Sequence, residues 1–128
     1  MSEAATVVAA TVAIVVLAAL AVLQVLVALG RPYGHLVWGG QHRILPRRLR
    51  IGSAVSILLY AAFAAILLWQ AGVFGDAGAV AQMATWVLFA YFGVGVVLNA
   101  ISRSRPERIM GTLASAVLAA CTLVIALP

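Results

Sequence analysis

Four long apolar runs separated by more polar stretches organise this chain: Ala5 to Leu29, Ile51 to Ala71, Ala79 to Ala100 and Met110 to Leu127. Each holds about 18 residues or more, which at ~1.5 Å per residue crosses ~30 Å of hydrocarbon. None contains Asp, Glu, Lys or Arg. Apolar residues recur all round each predicted helix instead of along one stripe, a pattern that suits lipid on every side. The expected fold is an all-α membrane protein, an antiparallel bundle of four transmembrane helices over about residues 5–29, 46–71, 79–100 and 105–127. The length suits one domain spanning residues 1–128.

The polar stretches mark the helix ends. Gly72 to Gly78 is short and glycine-rich, so the second and third helices are expected to be antiparallel neighbours. Ser104-x-x-Glu107 has the spacing of a capping box, in which hydroxyl and carboxylate each satisfy the other residue's backbone N–H. Pro46 suits the first turn of the second helix. The first run is preceded by Met1-Ser2-Glu3, which carries an acid and no positive charge, so it reads as a retained helix and not as a cleaved signal peptide.

Composition agrees with a lipid environment. Apolar residues make up 66% of the chain and charged ones 9%, against roughly 45–50% and about 25% in soluble domains. The net charge is +5, and all eight basic residues are Arg. They fall in two connections that four spans place on one side: Arg31, Arg43, Arg47, Arg48 and Arg50, then Arg103, Arg105 and Arg108. The other side holds Glu3 and Asp76. By the positive-inside rule the two Arg-rich loops are cytoplasmic and both termini outside. Arg without Lys, with heavy use of Ala, Val and Leu, suggests a high-GC bacterial genome, hence a multi-pass protein of the bacterial cytoplasmic (inner) membrane. The membrane accounts for the basic excess, so anionic head groups are the expected partners and nucleic acid is not.

Several chemistries lack their residues. Cys121 is the single cysteine and lies in an apolar run, so no disulfide or Cys-x-x-Cys pair is possible within the chain. The runs hold no carboxylate, Lys, Arg or His for a proton relay, a retinal Schiff base or a haem. No phosphate-binding glycine loop, zinc signature or nucleophile elbow occurs. No cofactor is expected.

The segment from Gly30 to Arg50 is long for a bundle connection, and its glycines and prolines argue against a continuous helix. With the Ile101–Ile109 connection it brings a candidate anion site to one face: His35, Gln41, His42, Arg43, Arg47 and Arg50 from the first, Asn99, Ser102, Arg103 and Arg108 from the second. Guanidinium groups with neighbouring amides and hydroxyls suit phosphate or carboxylate; the plainer role of the same arginines is to set topology. His35, His42 and Glu107 are too few for a recognised metal pattern. Gln24, Gln70, Gln82 and Asn99 are placed to hydrogen-bond across helices. Tyr60 and Tyr91 fall near mid-membrane, their hydroxyls needing partners such as each other or Thr85, or lining an apolar ligand cavity. Gly111, Ser115 and Ala119, and Gly95 with Asn99, form small-residue stripes for close helix packing, within the bundle or between copies.

The pattern Gly30-x-Pro32-x-Gly34, Trp38-Gly39-Gly40, Leu45-Pro46, Leu49-Arg50, then Asn99, Ser102-Arg103-Ser104 and Glu107-Arg108 resembles a family of small four-helix bacterial membrane proteins without an assigned activity. The resemblance implies that the loop and the Asn-to-Arg segment form a site. The function expected from the residues is non-catalytic: binding anionic lipid or a partner protein through the basic face, as a homo-oligomer or a subunit of a larger complex. The alternatives are an oligomeric channel or transporter for a small solute, and a membrane-embedded enzyme acting on a lipid or isoprenoid.

Overall fold

The computed structural model describes residues 1–128. It is all-helical, with α1 (Glu3–Ala28), α2 (Arg47–Gln70), α3 (Ala79–Ala100) and α4 (Arg105–Ala126), and two single-turn 3-10 segments at Gly34–Leu36 and Trp38–Gly40 between α1 and α2. All four helices are long and apolar enough to cross a membrane. No more than 28% of the most apolar window of any helix is buried. Side chains such as Val8, Leu58, Val80 and Val87 therefore point outward, at 62%, 71%, 68% and 66% exposure. In water that surface would be strongly unfavourable; facing lipid tails it is neutral.

Local chemistry sets the ends. The Ser2 hydroxyl accepts from Ala5 N at 3.0 Å, so α1 begins two residues before its apolar run. At the far end Gly30 (φ +87°) lets Gly30 N reach Val27 O and Arg31 N reach Leu26 O, the paired bonds of a Schellman motif. Gly72 (φ +90°) repeats this after α2, with Gly72 N on Trp69 O and Val73 N on Leu68 O. Pro46 stands just outside α2 with extended backbone, its carbonyl taking the first bonds of a helix that opens at Arg47. The proline is thus the cap residue and not part of the first turn as expected.

The helices form a ring in which α1 packs on α2 and α4, and α3 packs most extensively on α4 and lightly on α2. The small-residue stripes act within the bundle: Gly95 faces Ser115, and Gly111 lies against the Asn99 side chain. The amino and carboxyl termini meet, Met1 N donating to Pro128 O. At this end Gln70 donates to Gln82, and Gln82 donates to Ala126 O at 2.9 Å, tying α2, α3 and α4 across their ends as expected of these amides.

The packed core occupies the half of the bundle nearer the termini. It joins Ala13 and Leu17 to Phe63, Leu67, Leu88, Phe92, Leu118 and Ile125. Phe63 is its aromatic centre, 5.1 Å from Tyr91 and edge-on to Phe92 at 5.7 Å between ring centroids. The other half, toward the arginines, is packed differently.

Candidate functional site

The Gly30–Arg50 segment is a plug built on its own small core. Val37 and Leu45 from the loop close over Val27 of α1, all three buried, with Leu49 of α2 alongside. Gly34 N donates to Arg43 O at 2.8 Å, and a Cβ at Gly34 would collide with the His42 and Arg43 backbone, so the two strands of the loop lie in direct backbone contact. Three consecutive residues, Trp38, Gly39 and Gly40, have positive φ (52°, 78° and 71°). That turn lays the Trp38 indole on Gly52 of α2, where its Nε1–H donates to the fully buried Ser53 hydroxyl at 3.0 Å.

The second arginine-bearing connection locks onto this plug. The Ser104 hydroxyl donates to His35 O and accepts from Glu107 N at 3.4 Å, capping α4. The reciprocal half of the expected capping box is not made. The Glu107 carboxylate instead accepts from Gly39 N at 3.0 Å, and Ser104 N donates to the Ser102 hydroxyl at 3.2 Å. A carboxylate facing the positive-φ turn satisfies a backbone donor that the loop itself leaves unpaired. The two connections therefore form one surface.

On that surface the candidate residues have different roles. Arg50 Nε donates to Ala28 O at 2.8 Å, and its guanidinium lies over Gly30, so it caps the carbonyl end of α1. Arg108 Nη1 donates to Ser102 O at 3.1 Å and braces the α3–α4 turn. Asn99 points inward, donating to Gly95 O at 2.7 Å and to the Ser115 hydroxyl at 3.2 Å; it is interhelical glue and lies off the basic face. His35, Gln41, Arg43, Arg47 and Arg103 are exposed, with His42 half-buried. Arg31, Arg48 and Arg105 are exposed as well. His35, His42 and Glu107 do not converge as a ligand set, since no group of three His, Cys, Asp or Glu side chains comes together.

Beneath the plug lies a cavity of about 730 Å³, walled by all four helices and roofed by Leu36, Val37, Trp38 and Gly39. Its walls are mainly aliphatic and aromatic, with few polar groups, the usual make-up of a small-molecule site of about 300–1,000 Å³. Gln24, Ser56, Tyr60, Tyr91, Asn99, Ser115 and Glu107 are the polar side chains of its wall. Gln24 Nε2 donates to the Tyr60 hydroxyl at 3.4 Å. Tyr60 thus pairs with Gln24 of α1, not with Tyr91 or Thr85, whose hydroxyl is taken by Ala81 O at 2.7 Å. Gln24 is 8% exposed, and its Oε1 has no hydrogen-bond partner.

The cavity is not legible as a set in the sequence, because its members come from four helices and the loop. Only the isolated amides and tyrosines in otherwise apolar runs signalled it. No family model, curated protein or solved structure matches this chain.

Proposed function

We propose that this chain is a non-catalytic, multi-pass protein of the bacterial inner membrane that binds anionic lipid head groups through a cytoplasm-facing arginine surface. The observation that carries the reading is the joining of the two arginine-bearing connections by the Ser104–His35 and Glu107–Gly39 hydrogen bonds. Arg43 of one connection, Arg47 at the start of α2 and Arg103 of the other connection are all exposed at this end of the bundle. The only acid at this end of the bundle, Glu107 in the first turn of α4, is already engaged by the Gly39 N–H. A forked guanidinium in an interfacial setting is suited to phosphate oxygens, at about 1 kcal/mol per basic residue near an anionic surface. The cavity is lined by Asn99, an observation that favours the second reading, a membrane-embedded enzyme acting on a lipid or isoprenoid, while His35 and His42 lie outside its lining.

The test is retention of the detergent-purified protein on beads coated with anionic or zwitterionic phospholipid. Wild type prefers the anionic beads, and the preference falls as salt rises. The triple variant Arg43→Gln/Arg47→Gln/Arg103→Gln loses at least about tenfold of that preference. Equal retention of variant and wild type on anionic beads defeats the proposal.

A further inference from the structure

Burial stops at one level on all four helices. Leu17, Phe63, Phe92 and Leu118, each buried in the packed core, stand at its edge toward the arginines. Beyond them no side chain is buried over residues 18–23 of α1, 54–62 of α2, 93–100 of α3 or 105–117 of α4. Burial resumes only beside the plug, at Gln24 and Val27 of α1 and Ser53 of α2. The cavity of about 730 Å³ occupies this hollow band. Ala19 of α1 and Ala114 of α4 line it, where longer side chains would fill it.

The cavity is shut at its ends and open at its sides. Phe92 and Leu118 belong both to its wall and to the packed core, and Leu36, Val37 and Trp38 roof it. The Ser104–His35 and Glu107–Gly39 hydrogen bonds tie that roof to α4. Along the sides, Val15 of α1, Val94 and Leu98 of α3, and Leu113 and Val117 of α4 line the cavity and are exposed on the outer surface as well. All five lie on helices long and apolar enough to cross a membrane. Lipid tails are therefore what the openings meet.

The wall offers little to water. Ser56 donates to Gly52 O, Asn99 to Gly95 O and the Ser115 hydroxyl, and the Glu107 carboxylate takes the Gly39 N–H. No Lys, Arg or His lines the space. Water there would lack the roughly 2–4 polar partners it needs, and an empty space forfeits the dispersion contacts of its walls. A lipid chain, as apolar as Leu, restores those contacts.

We infer that one acyl chain of a membrane phospholipid enters this cavity from the side and completes the packing of the arginine half, its head group remaining outside. The volume falls within the range of about 300–1,000 Å³ that holds one small molecule, which suits one chain and not a whole lipid. The inference rests on the four helices spanning a membrane and not on the arginine surface.

The test uses the full chain in detergent with Trp38, which roofs the cavity, as its only tryptophan, through Trp69→Phe/Trp86→Phe. Phosphatidylcholine brominated on its acyl chains is titrated in, and quenching of the Trp38 fluorescence is read. Quenching that saturates at one lipid per chain, and is reversed by unlabelled phosphatidylcholine, is expected. Ala114→Phe, which fills the cavity, weakens the titration at least about tenfold. Ala62→Phe adds the same bulk at an exposed position of α2 outside the lining and leaves it unchanged. This lipid has no net charge, so Arg43→Gln/Arg47→Gln/Arg103→Gln also leaves it unchanged, whatever that variant does to anionic lipid. Quenching that rises with lipid without saturating, as from chains around the outer surface alone, overturns the inference without any cavity variant. So does saturation by a brominated free fatty acid but not by the phospholipid, or a lipid-free dimer in native mass spectrometry, in which a second copy fills the space.

Discussion

The Glu107 carboxylate accepts the backbone N–H of Gly39 at 3.0 Å across 68 positions of sequence. That contact converts two loops into one cap over the cavity. The bond is charge-assisted but partly exposed, so its net worth is near the lower end for such bonds, about 1 kcal/mol. Glu107→Ala should therefore speed amide exchange across residues 36–41 while leaving the helix interiors protected. Unchanged exchange there would show that the plug is held by its own small core alone.

Gly39 and Gly40 separate backbone strain from crowding. Both have positive φ, but a Cβ at Gly39 meets open space whereas one at Gly40 strikes the Ser104 side chain. Gly39→Ala should cost about 1–2 kcal/mol, the penalty for an L-residue in the left-handed region. Gly40→Ala should cost more and loosen the Ser104–His35 contact. Unfolding in mixed micelles measures both, and equal losses would contradict the geometry.

Gly111 and Asn99 are coupled. A Cβ on Gly111 would overlap the Asn99 carboxamide, which is fixed by Gly95 O and Ser115. Gly111→Ala should destabilise the bundle by about 1–3 kcal/mol, the usual cost of overpacking. In an Asn99→Ala background most of that cost should vanish. A double-mutant cycle with no coupling would refute close α3–α4 contact at this level.

Arg50 and Arg47 should divide stability from binding. Arg50→Gln removes the cap on Ala28 O and should cost about 1 kcal/mol by thermal unfolding. Arg47→Gln alters an exposed side chain and should stay within about 0.5 kcal/mol. Its effect should show in retention on anionic lipid. The opposite assignment would mean that Arg47, not Arg50, is built into the fold.

The sequence by itself determined the number of helices, their ends to within one or two residues and the clustering of all eight arginines in and beside the α1–α2 and α3–α4 connections. These follow from local physics: uncharged runs of membrane length, Gly30 and Gly72 at helix ends, and Ser104 before α4. Only the tertiary structure decided what each polar residue does. It made Arg50 a helix cap, turned Asn99 inward to Ser115, sent Glu107 to Gly39, and set Gln24 against Tyr60 at the wall of a cavity. An apolar run shows no preferred face when lipid accepts nearly all of it, so the facing pairs, and with them the site, arise only when the four helices pack.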